Sequence, residues 1–378
     1  MSGSEITKFI LMITVFVSLS CESVSEIPAK GFVGPYEVET TVDHDIAKIY
    51  LAEFSNESKE RNGYGEIIRQ IELTYDGVMP DVSQLKSISE ETSVDFATIF
   101  YCRKLLDQLK NRWIQKKFKT YLSSVLSGQH RNNRYSNLAV VLVPGFDHEA
   151  TGSQTGADLS MPRRILSDSG VEVHFAKINP LGTVDENALY VSQMILDLKH
   201  SKDLIIAGPS SAGPAIHLAL SNLLSSDESK QVKAWLNLGG IIGGSAVLEW
   251  IDSGFSSLIW SLILWHQDWR AESFDGLKPT VAKTRLSSFR LPAHIKVVNY
   301  LGLSLSGQIS EYGKDKYLIM RSMGPNDGLA LLPDMVYDDG YTILAPESDH
   351  FFARDPMIDL KTLALLDVMV DLVQNSEK

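Results

Sequence analysis

Cysteine is nearly absent from this chain: only Cys21 and Cys102 occur in 378 residues. If Cys21 is removed or modified, Cys102 has no intrachain partner and no disulfide framework can hold the fold. Cys102 ends the apolar helical pattern Phe96-Ala97-Thr98-Ile99-Phe100-Tyr101-Cys102 and reads as a small buried core residue. Positive charge is also short. Lys and Arg number 35 against 47 Asp and Glu, a formal net charge of −12. That balance argues against nucleic acid, whose phosphates would be repelled, and disfavours electrostatic docking on anionic lipid. Beyond the N-terminus no apolar run is long enough to span a bilayer. Metal-ligand spacing, such as two histidines one helical turn apart with a glutamate, is missing too, so neither metal nor cofactor is expected. What is present is an ordinary globular composition, 44% hydrophobic and 22% charged, at a length that suits one large domain with additions or two domains.

The N-terminus reads as an export segment over residues 1–21. Phe9-Ile10-Leu11-Met12-Ile13-Thr14-Val15-Phe16-Val17-Ser18-Leu19 is apolar over signal-peptide length, with Lys8 before it and polar sequence after it. Cys21, after Ser18-Leu19-Ser20, stands where a bacterial lipoprotein carries its lipidated cysteine, although the leucine usual three residues earlier is Ser18 here. The expectation is an exported protein, periplasmic, envelope-associated or secreted, with a membrane attachment through a lipidated Cys21 as one form of it.

From Glu26 to Tyr135 the spacing predicts mostly helix without strong β alternation. Ile46, Ile49, Tyr50 and Leu51 mark one helix, and Ser87 to Ser93 offers capping chemistry before another from Val94 to Leu109. A basic stretch, Lys104 to Lys119, interleaves with Trp113, Ile114 and Phe118 and reads as a solvated amphipathic face. The abundant aromatics of this region favour packing on the rest of the chain. Ser127-Gly128-Gln129-His130-Arg131-Asn132-Asn133 is a loop, and a boundary is placed there, dividing residues 26–135 from 136–378.

After Tyr135 strand and helix signals alternate, which predicts a mostly parallel sheet with helices on both faces. The strands are read at Leu138 to Val143, Val171 to Ala176, Asp203 to Gly208, Val232 to Leu238, Ile295 to Leu301 and Tyr341 to Leu344, with a helix at Asp185 to Leu198. Ligands of such sheets bind beyond the carboxyl ends of the strands.

At one of those ends lies Gly208-Pro209-Ser210-Ser211-Ala212-Gly213, between the apolar run Leu204-Ile205-Ile206-Ala207 and the helical pattern from Pro214. A sharp strand-to-helix turn lifts a serine hydroxyl above the sheet, and it needs small residues two positions either side of that serine. Gly208 and Ala212 flank Ser210 in this way. Ser211 with Gly213 is the competing register, but it would put Pro209 where glycine is needed. A serine hydroxyl requires a base, and the base an orienting acceptor, both on loops at the same edge. His350, in Glu347-Ser348-Asp349-His350, follows the last strand; Asp327, in Gly324-Pro325-Asn326-Asp327-Gly328-Leu329, follows the strand before it.

Taken together, Pro144-Gly145-Phe146, the serine turn, the glycine run from Gly239 to Ser245, Asn326-Asp327-Gly328-Leu329 and Asp349-His350 resemble a lipase or esterase of the α/β-hydrolase superfamily, bacterial lipases in particular. The resemblance covers Leu138 to the C-terminus. It implies an α/β-hydrolase fold and a serine hydrolase that cleaves carboxylic esters, of small molecules or lipids, through an acyl-enzyme. Ser210 would be nucleophile, His350 base and Asp327 acid, with the Phe146 and Ser211 amides as oxyanion donors. The same residues would serve an acyltransferase, thioesterase or amidase, and a non-catalytic binding protein on this fold is the third reading. Asp334 is the alternative acid. Asp349 reads as solvated or as orienting its loop, His148 as an exposed loop residue, and His174 and His217 as structural. Phe255 to Trp265 is an apolar helix with two tryptophans, either a lid over the site or a buried packing helix.

Overall fold

The computed structural model describes residues 26–52, 63–129, 135–198, 202–251, 254–346, 348–352 and 355–374; the expected export segment and Cys21 lie outside them. The described chain opens on an antiparallel hairpin, β1 (Ile27–Val33) and β2 (Tyr36–Val42). Gly34 stands at its tip with φ 57°, a left-handed conformation that costs glycine nothing. Helices α1 (Asp45–Ala52), α2 (Gly65–Thr74), α3 (Val82–Glu91), α4 (Val94–Asp107) and α5 (Leu109–Leu126) follow. The sequence reading missed the hairpin, and it took Ser87–Glu91 for a cap where the chain is inside α3. Ser93 does cap α4, its Oγ accepting the Phe96 N–H at 3.1 Å.

The remainder alternates: β3 (Leu138–Leu142), α6 (Ser160–Asp168), β4 (Glu172–Phe175), α7 (Val184–Asp197), β5 (Asp203–Pro209), α8 (Ala212–Leu218), β6 (Val232–Leu238), α9 (Ala246–Ile251), α10 (Gly254–Gln267), α11 (Pro279–Ser288), β7 (Lys296–Leu303), α12 (Lys314–Met320), β8 (Tyr341–Pro346) and α13 (Ile358–Gln374). The six strands form one parallel sheet in the order β4-β3-β5-β6-β7-β8. Successive side chains of a strand point to opposite faces, and both faces are apolar here. Leu204, Ile206, Trp235 and Val297 meet Val191 of α7 and Ile216 of α8 on one side. Val140, Ile205, Ala234 and Val298 meet Leu166 of α6, Phe118 of α5 and Leu365 and Met369 of α13 on the other. Burial on both faces is why these strands are continuous apolar runs in the sequence.

The N-terminal elements share this core. α5 lies against α13 and along the open edge of β8. Asn111 Oδ1 accepts the Thr342 N–H at 2.8 Å, and Gln115 Oε1 accepts the Leu344 N–H at 2.7 Å while its Nε2 donates to the Leu344 carbonyl at 3.2 Å. Four residues of helix rise about as far as two residues of strand, so amides at i and i+4 match alternate strand positions. A buried acidic pair ties the hairpin side to the other end of the chain. Asp95 accepts the N–H groups of Asp43 (2.7 Å) and Ser306 (2.8 Å), and Arg321 lies 3.4 Å from Asp43 Oδ2. Burial and the neighbouring Asp43 charge push the Asp95 carboxyl up to about 7.

Candidate active site

The turn after β5 sets the geometry. A Cβ on Gly208 would stand 2.7 Å from Ala212 Cβ and 2.9 Å from the Val143 carbonyl oxygen, so only glycine fits. Gly213 is pressed against the glycine run: a Cβ there would come within 2.8 Å of Gly240 Cα. Between them the backbone of Ser210 is left-handed at φ 52°, whereas Ser211 has helical φ −63° and ψ −16° as α8 begins. A non-glycine residue held in that region is strained and needs its surroundings to enforce it. The strained serine of this turn is therefore Ser210 and not Ser211.

His350 and Asp327 meet at the same edge. His350 Nδ1 is 2.7 Å from Asp327 Oδ2, and both side chains are buried. The His350 N–H also donates to the Asp327 carbonyl at 3.0 Å. The other carboxylate oxygen, Asp327 Oδ1, accepts the N–H groups of Leu329 (3.0 Å) and Ala330 (2.9 Å), which fixes the carboxylate plane. His350 Nε2 is buried and has no hydrogen-bond partner among the described residues. Ser210 and His350 line one cavity of 610 Å³.

The turn after β3 lies beside them. Gly145 N–H donates to Ala157 O and Asp147 N–H to Pro180 O, both at 2.8 Å. Between these two engaged amides the Phe146 N–H has no partner among the described residues, and neither has the Ser211 N–H at the start of α8. Phe146 and Ser211 both line the cavity. The Phe146 ring belongs to an aromatic group over the cavity, 5.3 Å from Trp269 and 4.8 Å from Phe274, with Trp260 5.0 Å from Phe274. Trp260 belongs to α10, which lines the cavity through Trp260, Ile263 and Gln267, while Trp265 is 61% exposed.

The other candidates fall elsewhere. Asp334 is buried and paired with Lys283 at 3.0 Å, off the cavity. Asp349 is buried rather than solvated; it orients its loop by accepting the N–H groups of Ser310 and Phe351, each at 2.8 Å. His148, expected on an exposed loop, is buried, with Nδ1 3.1 Å from the Gly145 carbonyl. His174 pairs with Glu172 on the sheet edge at 2.8 Å. His217 packs against Trp235 and Tyr337, and burial lowers its pKa to about 4. Sequence reasoning missed Lys316, which lines the cavity with its Nζ 2.9 Å from the Tyr312 carbonyl; burial lowers its pKa. It also missed the strand residues that form the cavity's depth, because nothing distinguishes such a position from ordinary core in a sequence.

A parallel sheet in this order, a strained serine after its third strand in sequence and a histidine after its last are the features of the α/β-hydrolase fold. No family model and no curated protein matches the chain. Solved structures do. A carboxyl esterase of metagenomic origin superposes with TM-score 0.51 at 18% identity, over 64% of this chain and 76% of its own. The propeptide form of a Bacillus licheniformis lipase superposes with TM-score 0.50 at 17% identity, over 65% of this chain and 52% of its own. At these identities the likeness is one of fold.

Proposed function

We propose that the protein is a serine hydrolase acting on carboxylic esters. The observation that carries the reading is the His350–Asp327 pair, with Nδ1 on the carboxylate and Nε2 unpartnered beside a cavity that also holds the strained Ser210. In this reading Ser210 Oγ attacks the ester carbonyl carbon as His350 Nε2 takes its proton. The carbonyl π pair moves to oxygen, where the amides of Phe146 and Ser211 receive it, and Asp327 stabilises the imidazolium. Collapse expels the alcohol, which leaves with the proton from His350. Water then attacks the acyl-enzyme by the same steps and releases the acid. The esterase and lipase named among the structural neighbours support the choice of ester over amide or thioester.

Labelling with a fluorophosphonate, together with ester turnover, tests the reading. Labelling is expected to disappear in Ser210→Ala and to persist in Ser211→Ala. Asp327→Asn, which leaves the imidazole in the wrong tautomer, is expected to lower kcat by about four orders of magnitude. A folded wild type that neither labels nor turns over any ester overturns it.

A further inference from the structure

The cavity does not stop at the serine. From Ser210 it continues down between the sheet and the α6/α13 layer, where it is lined by Val140, Ile205 and Leu236 from the sheet and by Leu166, Leu365 and Met369 from the helices. These residues belong to the buried apolar core of that layer. Protein interiors are close-packed, with few voids larger than a water molecule, so a continuous channel through this layer is a feature to be explained. Its direction is fixed by the fold. α13 starts near the site, after His350, and carries lining residues at Ile358, Thr362, Leu365 and Met369, the spacing of one helix face. β5 carries them at Pro209, Ala207 and Ile205, alternate residues on one face of the strand. Two estimates of depth agree. Four strand residues from Pro209 to Ile205 span about 13 Å, and eleven helical residues from Ile358 to Met369 about 16 Å.

We infer that this channel holds the acyl chain of the substrate, and that the substrates are esters of long, unbranched fatty acids. The inference rests on the proposed role of Ser210. An extended hydrocarbon advances about 1.25 Å per carbon from its bond lengths and angles, so the channel takes a chain of about ten to thirteen carbons. Two of the charged side chains that line the cavity satisfy one another beside α13: Lys361 Nζ lies 2.5 Å from Asp355 Oδ2, and Ser348 Oγ donates to the same oxygen at 2.7 Å. The deep lining offers no polar partner, so the chain's far end is apolar. The space beneath α10, walled by Trp260, Trp269 and Phe274, is left for the alcohol side.

The test is a series of p-nitrophenyl esters from butanoyl to hexadecanoyl on the full chain, with Met369→Trp and Met369→Ala beside the wild type. Each buried methylene is worth a factor of about four, so the wild-type kcat/KM is expected to peak between decanoyl and tetradecanoyl, at least about tenfold above butanoyl. Met369→Trp, which shortens the channel, is expected to lower the dodecanoyl-to-butanoyl ratio at least about tenfold; Met369→Ala is expected to raise the hexadecanoyl-to-dodecanoyl ratio. A wild-type optimum at butanoyl or hexanoyl, or ratios that neither variant moves, overturns the inference while leaving catalysis standing. If no ester is turned over, the catalytic reading has failed, and the channel is read by thermal shift. Stabilisation by tetradecanoate but not butanoate, lost in Met369→Trp, keeps the channel as an acyl site; equal or no stabilisation overturns it.

Discussion

Single residues of this chain are held in states that free amino acids avoid, and two of them differ in what the protein gains. Ser210 sits at φ 52° in a turn whose neighbours are tightly packed, since a Cβ would stand 2.7 Å from Ala212 Cβ at Gly208 and 2.8 Å from Gly240 Cα at Gly213, and such strain persists only where the surroundings enforce it. His217 is held neutral. Burial first, and the Arg285 charge second, lower its pKa from 6.5 to about 4, and its Nε2 has no partner among the described residues. The sign of the consequence follows from proton counting. Between those values the unfolded chain binds the proton and the folded one does not, so stability is present above the ordinary value and is lost as pH falls towards 4. The loss amounts to about 3 kcal/mol at most. Asp95, with its carboxyl pushed up to about 7, contributes a slope of the opposite sign. The comparison with His217→Gln cancels it, because the two sites share no partner: Asp95 meets Asp43, Ser306 and Tyr317, and His217 meets Trp235 and Tyr337. Urea unfolding at pH 7 and pH 4.5 is expected to show a steeper acid loss in the wild type than in His217→Gln; equal losses would place the acid sensitivity elsewhere.

At the scale of elements the chain is instructive about which secondary structure can be read in advance. The sheet strands were legible to within a residue or two, because burial on both faces demands continuous apolar runs such as Leu204-Ile205-Ile206-Ala207. The hairpin was not. Pro28 and Gly31 interrupt β1, and β2 carries Glu37, Glu39 and Thr41 on its alternate positions, so only Ala29, Val33, Val38 and Val42 mark the buried face. The turn glycine at 34 was the one local signal. The candidate site residues stand out in the sequence because each lies after a strand end in small or polar surroundings; the channel does not, since Val140 or Leu365 is core by any reading of its neighbours in sequence. Nor does anything in Asn111 or Gln115 announce that they substitute for a seventh strand. Their contribution is measurable. Gln115→Leu leaves the Leu344 N–H and carbonyl buried without their amide partner, at a cost of about 1–3 kcal/mol. Denaturant unfolding is expected to show that loss, and a change within about 0.5 kcal/mol, the size of an ordinary surface substitution, would mean that the edge is held by other contacts.

For the molecule as a whole, the hairpin and α1–α5 are part of the body that carries the site. Val33, Ile46 and Phe96 belong to the same buried cluster as Leu303, Leu305 and Met320, and α5 contributes Ile114 and Phe118 to the layer on the other side of the sheet. The Asp43–Asp95 pair joins Ser306 and Arg321 to this region. Elements that share cores and buried hydrogen bonds unfold together. Thermal unfolding followed by far-ultraviolet circular dichroism and by tryptophan fluorescence is therefore expected to give coincident transitions, although five of the six tryptophans follow residue 136. Two separated transitions would show that the N-terminal elements are an independent unit.

The amides of α5 have one further consequence. A sheet grows, between copies of a chain, by offering a bare strand edge to a neighbour. On the β8 side that offer is withdrawn, since Asn111 and Gln115 already occupy Thr342 and Leu344. Among the described residues the other flank of the six-stranded sheet is β4, four residues long and marked by Glu172 and His174, with Lys202 3.0 Å from Glu172. On the β8 side the six-stranded sheet has no bare edge at Thr342 and Leu344 to offer a second copy, and the strand that carries the histidine loop is kept out of any such association.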